Sequence, residues 1–349
     1  MAAKGSNTPT VLALRFSAIG DVAMTIPVVY GAARLNPTIR FVVVTRRNVA
    51  PIFVNRPANV EVHDVDLGCD RYCGLRGMVR LMGDLRRQYD PIAVADLHDV
   101  LRTKVLSLMA RLHGIPVAVI NTGRADKKRL CRQGADQTAP LKSTTSRYRE
   151  VFNRLGYHSA IPFEPLFGRE GADIATLPVK LPAGTLIGIA PFAAHPGKIY
   201  PVERMTRVIG LLLERHPDAT VYLFGGGADE SRRLAEMAAR FEPGRVVSLA
   251  ELHLGFAREM AIISRLNTMI VMDSANMHLA SLTGTPTVSI WGQTHPAAGF
   301  CPDDTLPVQR TDLPCRPCSV YGNRRCPYGN FPCLDIDPAA VVDAVGTII

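Results

Sequence analysis

TMIVMDSANMHLASLTGTPTVSIWG, residues 268–292, decides the fold. Its first residues form an apolar run that closes on an acid, Asp273. Ser274 then occupies the place of a helix N-cap. A helical stretch runs to Thr283, Gly284 ends it, and Pro286 opens a second apolar run. Strand, helix and strand in so short a span make a βαβ unit with parallel strands. The first free N–H groups of the helix, at Ala275 and Asn276, are predicted to attract an anion such as a diphosphate. His278 lies one turn on, over the same face as Ser274. Taken alone, the segment also fits a plain βαβ unit with a capping serine and a packed histidine.

The same alternation extends in both directions. In the first half, VLALRF (11–16), RFVVVT (40–45), PIAVAD (91–96) and PVAVI (116–120) read as strands between helical stretches. In the second half, TLIGIAP (185–191), TVYLFGGG (220–227) and VVSLA (246–250) precede the deciding unit, with helices across 203–215, 229–240 and 256–265. Between the halves, IPFEPLFGREGADIATLPVKLPAG (161–184) is rich in Pro and Gly and has no helical period. The fold class is therefore α/β, with two Rossmann-like domains expected to face each other across a cleft. The expected divisions are 1–165, a linker at 166–184, 185–336, and a closing helix at 337–349. The stretch 301–336 reads as irregular. In such sheets ligands sit beyond the carboxyl ends of the strands.

Composition bounds the function. The chain has 349 residues, 47% hydrophobic and 20% charged, enough to bury two cores. There is no apolar run of membrane-spanning length, and the first residues, MAAKGSNTPT, lack a signal-peptide core. A cytoplasmic location is expected. The formal net charge is +9, and residues 101–155 hold twelve Lys or Arg against three Asp or Glu. Such a surplus attracts phosphates, carboxylates or an anionic membrane face, or is simply a solvated basic surface. Aromatic residues are only 6% of the chain, which argues against base stacking and nucleic-acid binding.

Four further segments carry candidate chemistry. RFSAIGDVAMTIP (15–27) takes a strand into a helix through a loop with one glycine, Gly20, too few for a dinucleotide fingerprint. Asp21 at that helix start is either a cap or a base for an attacking hydroxyl. APFAAHPGKIYPVERM (190–205) puts His195 and Lys198 in a loop after a strand, where a lysine can neutralise phosphate. LFGGGADESRRL (223–234) has a glycine turn, with Gly226 open to close backbone approach, and Glu230 or Asp229 as candidates for ribose hydroxyls. Finally, PCRPCSVYGNRRCPYGNFPC (314–333) spaces Cys315, Cys318, Cys326 and Cys333 as C-x2-C-x7-C-x6-C. Four thiols are a possible structural zinc set, with free thiols in a packed loop as the alternative.

Together these segments resemble glycosyltransferase family 9, the ADP-heptose:lipopolysaccharide heptosyltransferases. The resemblance runs from RFSAIGDVAMTIP to the cysteine-rich tail, and SAIGD followed at this distance by DSANMHLASLTGTPTVSIWG carries it. It implies a GT-B fold and inverting transfer without a metal or other cofactor. Asp21 then matches the general base, and Lys198 the lysine on the donor phosphates. Glu230 falls near the acid that holds the ribose. Asp273, Ser274, Ala275 and His278 match the element around the donor diphosphate and sugar. Ala275 stands where the family usually has glycine, so a methyl group narrows that site or changes the donor that fits. ADP-heptose is the expected donor and an anionic lipid A–Kdo saccharide the expected acceptor, with peripheral contact at the inner membrane. Arg46, Arg102, Lys104, Lys127 and Lys128 are the candidate acceptor-binding residues, with Arg47, Arg124 and Arg129 nearby. No Asp-x-Asp element is read as holding a metal. Rival readings are another nucleotide sugar, a GT-B-like sugar-nucleotide epimerase or hydrolase, and a nucleic-acid-binding protein.

Overall fold

The computed structural model describes residues 8–134 and 139–349. Most of the N-terminal stretch read as leaderless therefore lies outside the described residues. The chain packs into two compact units. The first holds the residues through Gly123 together with Thr144–Phe163, and the second holds Arg124–Ser143 and Glu164–Ile349.

In the first unit, five strands form one sheet among the described residues. They are β1 (Thr10–Leu14), β2 (Arg40–Arg46), β3 (Val60–Val65), β4 (Pro91–Asp96) and β5 (Val117–Val119), in the order β3-β2-β1-β4-β5. Every pairing is parallel. β1 is buried along its whole length, as a central parallel strand must be when helices cover both faces. Leu12, Leu14, Val42, Val44 and Val94 pack on Met78, Leu81 and Leu85 of the helix Gly74–Tyr89. Each such side chain contributes about 1.5–3 kcal/mol relative to exposure.

The second unit repeats the design with β6 (Leu186–Ala190), β7 (Thr220–Leu223), β8 (Val246–Ser248), β9 (Thr268–Met272), β10 (Thr287–Trp291) and β11 (Thr305–Gln309). Their order is β11-β10-β9-β6-β7-β8, again all parallel. One face buries Ile187, Ile189, Val221 and Ile270 against the helix Val202–Arg215 and the closing helix Pro338–Gly346. The other buries Tyr222, Met269 and Val271 with Ile262, Ile263, Met277 and Trp291.

Two all-parallel α/β units are what the alternation predicts. Three details differ. The edge strands β3 and β11 escaped the sequence reading, so 301–336 is not wholly irregular. The segment 124–143, expected in the first domain, belongs to the second unit. There Leu141 N–H donates to Ala297 O (2.8 Å) and the Lys127 ammonium lies 4.2 Å from the Phe300 ring centre. The expected linker is also packed. Leu166 N–H donates to Leu282 O, and Ala172 N–H to Ser264 Oγ, both at 2.9 Å, within the second unit.

Each sheet has one point where the strand order reverses. In the first it lies between β1 and β4, in the second between β6 and β9. In open parallel sheets, ligands sit at the carboxyl ends of the strands flanking such a point.

Candidate functional site

At the first switch point the chain leaves β1 through Arg15 and Phe16 and turns into the short helix Ile19–Ala23. Asp21 stands in that first turn, with its side chain 27% exposed. Its Oδ2 forms an ion pair with Arg15 Nη2 at 2.7 Å and accepts from Ala18 N–H at 3.2 Å. Its own carbonyl accepts from the hydroxyl of the fully buried Tyr148 at 3.1 Å. Arg15 is itself buried, and its Nη1 donates to Leu97 O at 2.7 Å, just past β4.

Next to this group, β4 ends on Asp96, which is wholly buried. A buried carboxylate needs hydrogen bonds. Asp96 accepts from the N–H groups of His98 (2.9 Å) and Asp99 (3.0 Å) and from Ser107 Oγ (3.1 Å). That turn presents His98, whose Nδ1 takes a long hydrogen bond from Phe16 N–H at 3.5 Å. Burial, followed by the positive charge of Arg15, pushes the His98 imidazole down to about 3. The ring is therefore neutral at physiological pH.

On the same unit, Arg46, Arg47 and Arg102 line one cavity of about 470 Å³ with Asn48, Asp66 and Gly68. Arg47 is tied to Asp64 (2.9 Å), while Arg46 Nε is buried without a hydrogen-bond partner. Lys104 does not line this cavity and pairs with Asp99 at 3.4 Å. The acceptor candidates therefore separate. Arg46 and Arg102 converge with Arg47. Lys127 and Lys128 lie in the second unit, Lys127 buried and Lys128 exposed on the helix Arg124–Gln133. Arg124 and Arg129 ride the same helix, with Arg129 paired to Asp126 at 3.1 Å.

At the second switch point, β6 leads to Lys198 and β9 to Asp273. Lys198 Nζ and Asp273 Oδ2 are 2.8 Å apart, with side chains 16% and 6% exposed. A buried pair of this kind adds little net stability, because desolvation offsets the attraction. Its effect is to fix the ammonium beside the start of the helix Ala275–Thr283. Ser274 holds the extended N-cap backbone (φ −144°, ψ 179°), yet its side chain makes no capping bond and its Oγ is buried without a partner. The expected cap is thus present in backbone only. Ala275 opens the helix, and His278 is buried one turn along. His195, in the loop before Lys198, serves as backbone cap of the short turn Pro196–Lys198.

The glycine turn after β7 places Glu230 Oε2 on Gly226 N–H at 2.9 Å. Asp229 is engaged by Arg232 (2.7 Å) and Arg233 (3.8 Å) of its own helix, Ala228–Ala238. Glu230 is the better placed of the two ribose candidates.

The cysteine tail is braced against this site. Arg316 Nε donates to Gly292 O (2.7 Å) and Nη2 to Thr294 O (2.9 Å), and Nη1 reaches Arg310 O. Gln293 N–H donates to Gly197 O (2.9 Å), and Gln293 Nε2 to Arg324 O (2.8 Å). Gly322, with φ +76°, crosses the Lys198 stem so closely that a β-carbon would stand 2.5 Å from Lys198 Cγ. Cys315, Cys318, Cys326 and Cys333 surround a cavity of about 310 Å³ together with Cys131 and Arg316. They are free thiols, and burial pushes Cys333 up to about 11. Among the described residues no three His, Cys, Asp or Glu side chains form a group able to hold a metal ion. The thiols line a void shared with a guanidinium, in keeping with the reading of free thiols in a packed loop. Two Asp-x-Asp spacings do occur, and neither forms such a group. Asp64 pairs with Arg47 and Asp66 accepts from Gly68 N–H, while Asp335 pairs with Arg204 and Asp337 caps Ala339.

Sequence reasoning missed Arg15, His98, Gln293 and Gly322. Only Arg15 left a signal, a cation at the end of an otherwise apolar strand run.

Comparison with known proteins gives a consistent result. The profile of glycosyltransferase family 9 (heptosyltransferase) matches residues 80–328. Lipopolysaccharide heptosyltransferase 1 of Pseudomonas aeruginosa is 26% identical over 316 residues, covering 88% of this chain and 85% of that protein. The structure of Escherichia coli ADP-heptose LPS heptosyltransferase II aligns with a TM-score of 0.69 at 16% identity, covering 97% of this chain and 98% of that one. The E. coli heptosyltransferase WaaC with ADP-2-deoxy-2-fluoro heptose aligns with a TM-score of 0.67 at 19% identity, covering 97% and 99%.

Proposed function

Because the chain belongs to glycosyltransferase family 9, we propose that this glycosyltransferase moves heptose from ADP-heptose onto the inner core of lipopolysaccharide, with inversion and without a metal. The observation that carries the reading is the Lys198–Asp273 pair, fixed where Ala275–Thr283 begins at the reversal of the second sheet. An ammonium and the unpaired N–H groups of a helix start together supply the positive charge a departing diphosphate needs. Lys198 meets Asp273 as an ion pair, and its ammonium has three donor hydrogens to offer phosphate oxygens. In this reading Glu230, on the glycine turn after β7, holds the ribose, and His278 the sugar end of the donor.

Asp21 acts as the base. The acceptor hydroxyl gives its proton to the carboxylate as its oxygen bonds to the anomeric carbon. The bond from that carbon to the phosphate oxygen breaks, and ADP leaves with the electron pair. Attack from the side opposite the diphosphate inverts the centre. Arg46, Arg47 and Arg102 suit the carboxylates and phosphates of a Kdo–lipid A acceptor. With such an acceptor the enzyme works peripherally, at the cytoplasmic face of the inner membrane. No helix among the described residues is long and apolar enough to cross a membrane.

The test is turnover by purified protein offered a panel of nucleotide sugars, with and without Kdo–lipid A. ADP-heptose should be consumed only with acceptor present, and prior dialysis against EDTA should leave the rate unchanged. Product formed from donor alone would instead favour the epimerase or hydrolase reading. Turnover only with another nucleotide sugar would keep the transferase and change the donor.

A further inference from the structure

The contacts of Asp21 are unequal on its two oxygens. Oδ2 receives both the Arg15 guanidinium (2.7 Å) and the Ala18 N–H (3.2 Å). Among the described residues Oδ1 has no hydrogen-bond partner. Arg15 is not a loose surface cation that happens to reach the acid. Its side chain is 10% exposed, and its other terminal nitrogen is locked on Leu97 O at 2.7 Å, at the end of the neighbouring strand β4. Its backbone continues the ladder, with Arg15 N–H on Val44 O at 3.1 Å. The guanidinium carbon lies 6.0 Å from the ring centre of Tyr148, whose hydroxyl holds the Asp21 carbonyl. Asp21 is thus gripped at its side chain and its main chain by two buried residues from different parts of the unit.

A planar guanidinium fixed at one end can hold a carboxylate in one rotation. A base that must meet a hydroxyl at hydrogen-bond distance loses rate steeply when its orientation is free. We propose that Arg15 is a positioning residue for the transfer reaction: it claims Oδ2 of Asp21, so that Oδ1 alone is presented to the acceptor hydroxyl. The proposal rests on Asp21 being the base. In the step itself the proton passes from the acceptor oxygen to Oδ1, and Arg15 keeps all of its own protons. His98, a second titratable ring in this group, does not take this part, because its Nδ1 already faces the Phe16 N–H.

The experiment is a double-mutant cycle of Arg15→Met and Asp21→Asn, assayed with ADP-heptose and Kdo–lipid A. Arg15→Met should lower kcat by about tenfold to a hundredfold, with KM for both substrates within about twofold, since a misoriented base costs rate and not binding. Arg15→Lys, which keeps the cation but replaces the planar fork with a single ammonium, should recover part of the loss. In the Asp21→Asn background Arg15→Met should change kcat by less than about twofold, because the two residues act as a unit. ADP binding, which belongs to the second unit, should be equal in all variants. If Arg15→Met does not fold, Arg15→Gln keeps a donor for Leu97 O, loses the charge, and gives the same readout. Should Arg15→Met turn over normally while Asp21→Asn is inactive, Arg15 has no positioning role and the base assignment stands. Multiplying losses in the double variant, or no rescue by lysine, would also overturn the proposal. Normal turnover by Asp21→Asn alone would remove the base assignment, and this inference with it.

Discussion

Single residues at the two switch points are held by buried partners whose chemistry can be tested one at a time. His98 is the clearest case for pH. Its folded pKa lies near 3, below the ordinary imidazole value, because burial and then Arg15 disfavour the cation. A depressed group contributes stability above its unfolded pKa and loses it as pH falls toward the folded one. The thermal midpoint should therefore fall as the pH drops from about 7 toward 4. His98→Gln should flatten that fall, and an unchanged slope would show that His98 charges freely in the fold. Asp96 gives a second test. Asp96→Ala leaves two part-buried N–H groups without their acceptor, a loss of up to about 1–3 kcal/mol for each unsatisfied group, readable by urea denaturation. How much of this the sequence shows depends on range. Asp21, Lys198 and Asp273 are visible because each lies in the segment by which the chain leaves a strand toward the next helix. The pairing of Arg15 with Leu97 O joins residues 82 apart, and no local pattern encodes that.

Elements carry the next level. The helix Ala275–Thr283 is legible in full, from Asp273 before it to the left-handed Gly284 that ends it. Its capping was not, since the buried Ser274 hydroxyl makes no bond to the N–H groups it was expected to serve. Strands β3 and β11 escaped for a physical reason. Both lie at sheet edges, so Glu61, His63, Asp64, Pro307 and Gln309 are tolerated there, and the continuous apolar run of a central strand is missing. The tail 310–335, read from its spacing as free thiols in a packed loop or as a zinc set, works as a brace. Arg316 and Gln293 tie it to the loops after β10 and β6, and Gly322 lies on the Lys198 stem. Gly322→Ala should therefore displace Lys198. We expect kcat to fall by about tenfold or more, a loss typical of a misplaced catalytic group, while helix content by circular dichroism stays unchanged. An active Gly322→Ala would separate the tail from the donor site.

At the scale of the whole molecule, the basic surplus of residues 101–155 is shared by both units. The packing of 124–143 divides it between the two units, which composition alone could not show. The acceptor prediction narrows accordingly. The double substitution Arg46→Ala with Arg102→Ala should raise KM for Kdo–lipid A by about tenfold or more, the value of one or two charge-assisted bonds, and leave KM for ADP-heptose unchanged. Lys128→Ala, on the other unit, should change neither. What unites both units is one chemical claim: a single carboxylate removes a proton while an ammonium and a helix start receive the diphosphate. The most direct measurement is the single-turnover rate of Asp21→Asn with ADP-heptose and Kdo–lipid A. The account predicts a loss of at least about a hundredfold, the usual contribution of a general base, with donor binding intact. A rate within a few-fold of the native protein would contradict it.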